Sequence, residues 1–172
     1  MLCELIILGI DPGYAIVGYG VVAYNSSRFS VVEYGAVTTE AGLPFTSRLL
    51  QIFDELCKII ERVHPDALSI EKLFFNTNTT TAIDVAQARG VILLAAKKHN
   101  IPVYEYTPLQ VKSAVTGYGR AEKKQVMDMV KNLLRIEKIP KPDDTADALA
   151  IAVCHAHSAG SLYSKLNSGG SI

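Results

Sequence analysis

The chain has 172 residues, of which 49% are hydrophobic and 20% are charged, as in an ordinary soluble globular protein. This length suffices for one domain without disulfides or structural metal, and three widely spaced cysteines argue against a secreted disulfide framework. The opening segment has no basic region and only a short apolar run, Leu5 to Ile10, which predicts a buried strand and not a signal peptide or membrane span. These features predict a cytoplasmic location.

Charge is distributed unevenly although the net charge is zero. Residues 1–70 carry 4 basic and 8 acidic side chains, whereas residues 112–141 carry 8 basic and 3 acidic ones. A basic stretch that leads into an acidic cluster suits a site that handles phosphate, with cations for the backbone and carboxylates for metal. A solvated helix face would explain the same run without any ligand.

Five apolar or β-branched runs predict strands. In chain order they are ELIILGI, VGYGVVAY, FSVVEYGAVTT, DALSIEK and IPVYEYT. The first three are separated by short turns and predict an antiparallel meander.

Helical periodicity predicts five helices. They run over Pro44–His64, Thr79–His99, Pro108–Val115, Ala121–Leu134 and a last helix whose first turns lie in PDDTADALAIA, residues 142–152. The order β-β-β-α-β-α-β-α-α-α predicts an α/β fold, a mixed five-stranded sheet with helices on both faces. We expect one domain over residues 1–158, followed by a Ser/Gly-rich flexible tail over 159–172.

The last helix begins with three aspartates, Asp143, Asp144 and Asp147. Capping and the helix dipole explain one or two of them. Asp144 and Asp147 share one face at a spacing of three residues, where two carboxylates repel unless a cation lies between them. Capping and a cation site are both compatible with this pair alone.

Two further acids end predicted strands. Asp11 ends the first strand and Glu71 the fourth, and both lie beside the last helix if those strands are neighbours. Each has an ordinary alternative, since Asp11 suits a turn before Pro12 and Glu71 suits a surface pair with Lys72. Four clustered carboxylates are destabilising without cations, whereas two Mg²⁺ ions would turn them into a site for attack on a phosphodiester.

The ordered motifs GIDPG, IEKLFFNTNTTTA, AQARGV, QVKSAVTGYGRAEKKQV and DDTADALAIAVCHAH resemble the RuvC family of Holliday junction resolvases, within the RNase H-like and retroviral-integrase superfamily. The resemblance covers about residues 4–157. It implies an RNase H-like fold and a Mg²⁺-dependent endodeoxyribonuclease that acts as a homodimer, with Mn²⁺ as a substitute metal. It implies paired symmetric nicks across a four-way DNA junction that leave 5′-phosphates and 3′-hydroxyls, and a branch-migration helicase complex as partner.

The resemblance also assigns roles to individual residues. Asp11, Glu71, Asp144 and Asp147 match the metal-binding catalytic acids, and Phe74 matches an aromatic that wedges into the junction. Lys112 and Lys123 match basic positions near the scissile backbone. Asn76 and Asn78 suit hydrogen bonds to phosphate or base edges, although they also suit an ordinary loop, and Arg120 and Lys124 extend the basic set.

Three rival interpretations remain at this stage. An actin-like ATP-binding protein also begins with an apolar strand ending in Asp-x-Gly, but it normally needs two such domains. A junction-binding module without catalysis would not require four acids in this arrangement. A nuclease of the same fold that acts on RNA or an RNA–DNA hybrid is compatible with the composition. Arg89 is expected to form a structural ion pair, with a phosphate contact as the second choice. The CHAH motif points its side chains to divergent helix faces, which argues against a zinc site.

Overall fold

A computed structural model describes residues 4–25, 28–73 and 79–168, with side chains for all of these except 79, 80 and 161–168. Five strands form one sheet in the order β3-β2-β1-β4-β5. Their bounds are β1 (Leu5–Asp11), β2 (Ile16–Asn25), β3 (Arg28–Thr38), β4 (Ala67–Glu71) and β5 (Val103–Tyr106). β1, β2 and β3 are antiparallel neighbours, whereas β4 runs parallel to β1 and β5 parallel to β4. The predicted mixed sheet, with β1 beside β4, is confirmed.

Five helices pack on the sheet. Their bounds are α1 (Phe45–Val63), α2 (Thr79–Lys98), α3 (Pro108–Thr116), α4 (Lys123–Leu134) and α5 (Asp143–Ser168). α4 begins two residues later than predicted because Glu122 is its N-cap, with its backbone N–H donating to the Gln125 side chain at 2.9 Å. Helical backbone in α5 extends into the segment predicted as a tail, and the domain boundary at residue 158 stays a prediction.

The two faces of the sheet carry separate cores because strand side chains alternate. Leu8 and Ile10 of β1 point to one face, where α1 and α2 cover them. Ile7 points to the other face and packs with residues of α3, α4 and α5. The predicted helices on both faces are therefore confirmed, and every second residue of β1 faces α5.

Glycines let α5 lie directly on the strands. A Cβ at Gly9 would be 2.1 Å from the carbonyl oxygen of Ala148, and one at Gly18 would be 2.0 Å from the carbonyl oxygen of Asp144. Both neighbours are helix backbone, which cannot move aside as a flexible side chain can. The missing side chains therefore set how closely the N-terminal half of α5 approaches β1 and β2.

Side-chain hydrogen bonds also hold α5 on the sheet. The Thr145 hydroxyl donates to the Gly35 carbonyl oxygen at 3.0 Å, and the Ser69 hydroxyl donates to that of Ile151 at 3.3 Å. α5 is thereby joined to β3 and to β4 on either side of the glycine contacts. Its first turn is fixed over one end of the sheet.

Two of the three cysteines are within the described ranges. Cys57 and Cys154 are buried free thiols, and Cys3 lies outside the described residues. Among the described helices, none combines the length and apolar character that crossing a membrane requires.

Candidate metal and nucleic-acid site

Two carboxylates meet at the ends of neighbouring parallel strands. Ile10 of β1 pairs with Ile70 of β4, so the residues that follow, Asp11 and Glu71, lie side by side. Both isoleucines point to the α1–α2 face. Alternation therefore directs Asp11 and Glu71 to the face that α5 covers.

The first turns of α5 bring two more acids to this place. Asp11 pairs with Gly18 in the sheet, and the backbone of Asp144 rests against Gly18. Asp147 follows one turn later, close enough to both Asp11 and Glu71 to alter their ionisation. Asp11, Glu71, Asp144 and Asp147, the four acids predicted from the sequence, are called the acid cluster below.

The electrostatics of the acid cluster centre on Asp11. Burial first, and then the nearby carboxylates of Asp147, Glu71 and Asp144, raise the pKa of Asp11 from 3.8 to about 8, although Lys123 acts in the opposite direction. A carboxyl group in this environment resists ionisation because its negative charge would be both desolvated and repelled. A cation bound there would favour the ionised carboxylate and so lower this pKa.

Glu71 shows the same effect more weakly. Burial and the charge of Asp147 raise its pKa, whereas Lys112 opposes the change. No ion pair joins Glu71 to the exposed Lys72 in the described part of the chain, so the ordinary surface-pair alternative is not what the structure contains.

Lys123 is the cation that contacts the acid cluster directly. Its ammonium group donates to Asp147 at 2.9 Å and lies 3.5 Å from Asp143. The hydrogen bond to Asp147 and the charges of both aspartates raise the pKa of Lys123. Asp143 is the first residue of α5, and its carboxylate pairs with Lys141.

The donor chemistry of the acid cluster fits a hard divalent cation, since Mg²⁺ and Mn²⁺ prefer carboxylate oxygens. The side chains do not form a closed ligand shell: within residues 4–25, 28–73 and 79–168, no three His, Cys, Asp or Glu side chains converge enough to hold one ion. Repulsion among the four carboxylates and the hydrogen bond from Lys123 to Asp147 both favour this open arrangement. The acid cluster therefore matches a divalent cation in charge and in ligand type. Asp11 is the member whose negative charge is most strongly disfavoured without one.

Other predicted basic residues surround the acid cluster. Lys112 is half-buried on α3 and close enough to Glu71 to affect its pKa. Arg120 and Lys124 are exposed beside Lys123, and neither forms an ion pair with any described residue. Positive charge thus borders the acid cluster where α3 and α4 meet.

Three predicted DNA contacts, Phe74, Asn76 and Asn78, lie outside the described residues, as does Phe75.

The expected structural role of Arg89 is confirmed, because its guanidinium pairs with Glu105 and its Nε donates to the carbonyl oxygen of Glu71 at 3.5 Å. Arg89 therefore supports the strand end that carries Glu71.

The histidines of the CHAH motif have separate partners. The His155 ring hydrogen-bonds the Tyr106 hydroxyl at 2.7 Å and lies against the Tyr104 ring, with 4.3 Å between ring centroids. Burial lowers the pKa of His155 to about 4. His157 Nδ1 contacts the carbonyl oxygen of Ala114 at 2.8 Å.

Sequence reasoning missed the glycine contacts that position the acid cluster. Their signal was present, because Gly18 and Gly20 stand two residues apart in a strand and therefore on one face. Glycine inside a strand often marks the close approach of another backbone. It also missed Tyr118, an exposed aromatic within the motif TGYGRAEK.

The sheet order, the helices on both faces and the acids at the ends of β1 and β4 define the class of protein: an α/β protein of RNase H-like fold with a carboxylate site at one sheet end. The model of one family, described as crossover junction endodeoxyribonuclease RuvC, matches residues 7–155. The chain belongs to this family.

Individual relatives agree with the assignment. The crossover junction endodeoxyribonuclease RuvC of Alkaliphilus metalliredigens is 60% identical over 154 residues, which are 90% of this chain and 94% of the relative. The solved structure of Thermus thermophilus RuvC is 36% identical, with a TM-score of 0.85 over 91% of this chain and 96% of that one. A second Thermus thermophilus structure, of RuvC in complex with a Holliday junction substrate, is also 36% identical and has a TM-score of 0.86 over 90% and 94% of the two chains.

Proposed function

We propose that this chain resolves four-way DNA junctions in recombination and repair, by paired symmetric nicks that leave 5′-phosphates and 3′-hydroxyls. The observation that carries the proposal is the acid cluster: burial and three neighbouring carboxylates raise the pKa of Asp11 to about 8, in a chain of the RuvC family. Such an arrangement costs folding stability, and a divalent cation bound there would offset that cost. The junction-bound structure of the Thermus thermophilus relative supports DNA junctions as the substrate.

The acid cluster would hold two Mg²⁺ ions, with Mn²⁺ as a substitute. Asp11 is the central ligand in this proposal, because it lies between Glu71 on the neighbouring strand and the aspartates of α5. When bound, such ions supply an activated water and stabilise negative charge on the attacked phosphate. The carboxylates would hold the ions in place. The close contact of α5 with Gly9 and Gly18 keeps Asp144 and Asp147 at a fixed distance from β1.

Lysines next to the acid cluster would act on the DNA strand itself. Lys112 and Lys123 place positive charge on α3 and α4 at the border of the carboxylates, where it can hold the backbone and offset charge that develops on the phosphate. Arg120 and Lys124 are exposed and free of ion pairs within the described residues, so they can contact neighbouring phosphates. Phe74, Asn76 and Asn78 would contact bases near the crossover.

Two symmetric nicks require two copies of the acid cluster, so we propose a homodimer. Ile83 is 67% exposed and Leu94 57% exposed on α2. In this proposal both side chains become buried between the two copies. We further propose that the dimer works in the cytoplasm with a branch-migration helicase complex, which would keep the crossover mobile until a cleavable sequence reaches the acid cluster.

The test compares four substrates in parallel: a mobile four-way junction, a linear duplex of the same sequence, single-stranded RNA and an RNA–DNA hybrid. With Mg²⁺, the protein should nick opposite strands of the junction at symmetric positions and leave the other three intact. Ligation of the nicked products would confirm the 5′-phosphate and 3′-hydroxyl ends. Faster cleavage of RNA or of the hybrid would overturn the choice of substrate.

A further inference from the structure

An exposed aromatic side chain lies in the turn that joins α3 to α4. Tyr118 is 58% exposed and stands between Gly117 and Gly119. The described residues provide no ring contact or side-chain hydrogen bond for it. More than half of the Tyr118 side chain is therefore open to a ligand.

The backbone beneath Tyr118 is held in place by its own hydrogen bonds. The Tyr118 N–H donates to the Thr116 hydroxyl at 3.1 Å, and the Tyr118 carbonyl oxygen accepts from the Ala121 N–H at 3.1 Å. Gly117 ends α3 with a φ of +77°, a conformation that suits glycine. Because the turn is fixed before binding, a contact made by the ring costs little conformational entropy.

In the sequence, Tyr118 lies between the two basic residues that border the acid cluster. Lys112 is on α3 six residues before it and near Glu71, and Lys123 is on α4 five residues after it and bonded to Asp147. Exposed Arg120 follows within the same turn. A DNA strand whose phosphates contact these cations would pass close to the α3–α4 turn that carries Tyr118.

The apolar side chain of Leu109 lies next to Gly119 in this turn. Leu109 is 62% exposed, and its Cγ would be 3.1 Å from a Cβ at Gly119. Glycine at 119 thus lets the turn fold down onto α3 beside Leu109. The exposed side chains of Leu109 and Tyr118 belong to the same stretch of chain as Lys112, exposed Arg120 and Lys123, and aromatic and basic side chains in combination fit a nucleic acid better than an apolar protein surface.

We propose that Tyr118 stacks on the base of an unpaired nucleotide next to the cleaved phosphate, and so positions the strand over the acid cluster. This inference rests on the proposed junction-cleaving function and adds a base contact on the α3–α4 side. Base–aromatic stacking tolerates any sequence because every base has a π-face. Tyr118 therefore contributes to recognition of unpaired structure and not to the preferred cleavage sequence.

The test measures stacking and binding separately from cleavage. Four-way junctions carry 2-aminopurine at single positions around the crossover, and Ca²⁺ replaces Mg²⁺ so that the DNA stays intact. Wild type should quench the probe at one or two positions. Tyr118→Ala should abolish that quenching and weaken junction binding about tenfold, while Tyr118→Phe should retain both because it keeps the ring.

A matched control is Tyr34→Ala, which removes a tyrosine that is 44% exposed on edge strand β3. Its binding and quenching should equal those of wild type, and thermal melts should show that all three variants fold. Wild-type quenching and affinity in Tyr118→Ala, or loss of both in Tyr118→Phe, would overturn the stacking role while junction cleavage by wild type still supports the proposed function. A wild type that neither binds nor cuts the junction would overturn both.

Discussion

Removing the charge of Asp11 should stabilise the metal-free protein. Burial and repulsion within the acid cluster raise the pKa of Asp11 from 3.8 to about 8. The folded chain therefore prefers the protonated form, and its stability falls as the pH rises from about 4 towards 8. Asn at this position keeps the shape and cannot ionise, so Asp11→Asn escapes this loss.

The size of the effect follows from the pKa difference. At about 1.4 kcal/mol per pH unit, the interval between 3.8 and pH 7 corresponds to a ceiling of roughly 4 kcal/mol. Rotation of the carboxylates towards water reduces this ceiling. We expect about 1–3 kcal/mol, or a Tm increase of about 3–10 °C for a domain of this size.

The assay is thermal unfolding in chelator at pH 5 and at pH 8. Asp11→Asn should melt higher than wild type, with the larger difference at pH 8. Asp143→Asn is the matched control. Asp143 is exposed and its pairing with Lys141 lowers its pKa, so this variant should not gain stability. Addition of Mg²⁺ should raise the Tm of wild type and leave Asp11→Asn nearly unchanged. Equal or lower Tm for Asp11→Asn at pH 8 would refute the electrostatic reasoning.

Three further predictions concern the surroundings of Asp11. Gly18→Ala places a Cβ about 2 Å from helix backbone, so it should lower the Tm by about 5–10 °C and reduce cleavage, whereas Gly42→Ala, with open space around it, should do neither. Lys123→Met leaves Asp147 without its cation, so single-turnover cleavage should fall more than about tenfold while junction binding, shared among several cations, falls only a few fold. His155 should show no NMR titration between pH 5.5 and 8, because burial lowers its pKa to about 4. Since the unfolded chain takes up a proton near pH 6.5, His155 stabilises the fold above that pH and this contribution is lost as the pH falls towards 4. A normal titration near pH 6.5 would contradict the buried environment.

Much of the fold could be predicted because its signals are local. Short apolar runs gave the strands, and Asp11 and Glu71 at their ends pointed to a shared sheet edge once β1 and β4 were taken as neighbours. Right-handed parallel crossovers restrict that choice strongly. The acid pair of α5 was visible from its spacing of three residues.

Other features depend on distances that a sequence pattern does not contain. The approach of Asp144 to Gly18 depends on how deeply α5 sits on the sheet, which periodicity does not specify. The hydrogen bond from Lys123 to Asp147 joins residues 24 positions apart through a flexible side chain with many rotamers. A charge run shows that lysines are present, but only tertiary packing decides which lysine reaches which carboxylate.

The most direct test of the account is single-turnover cleavage of a mobile four-way junction by wild type, Asp11→Asn and Asp147→Asn, with junction affinity measured in the same samples. Wild type should make paired symmetric nicks with Mg²⁺ and none with chelator. Both variants should lose at least about a thousandfold in cleavage, whereas their junction affinity should stay at or above that of wild type because a negative charge has been removed. Wild-type cleavage rates in Asp11→Asn would contradict the claim that the acid cluster holds the catalytic metal.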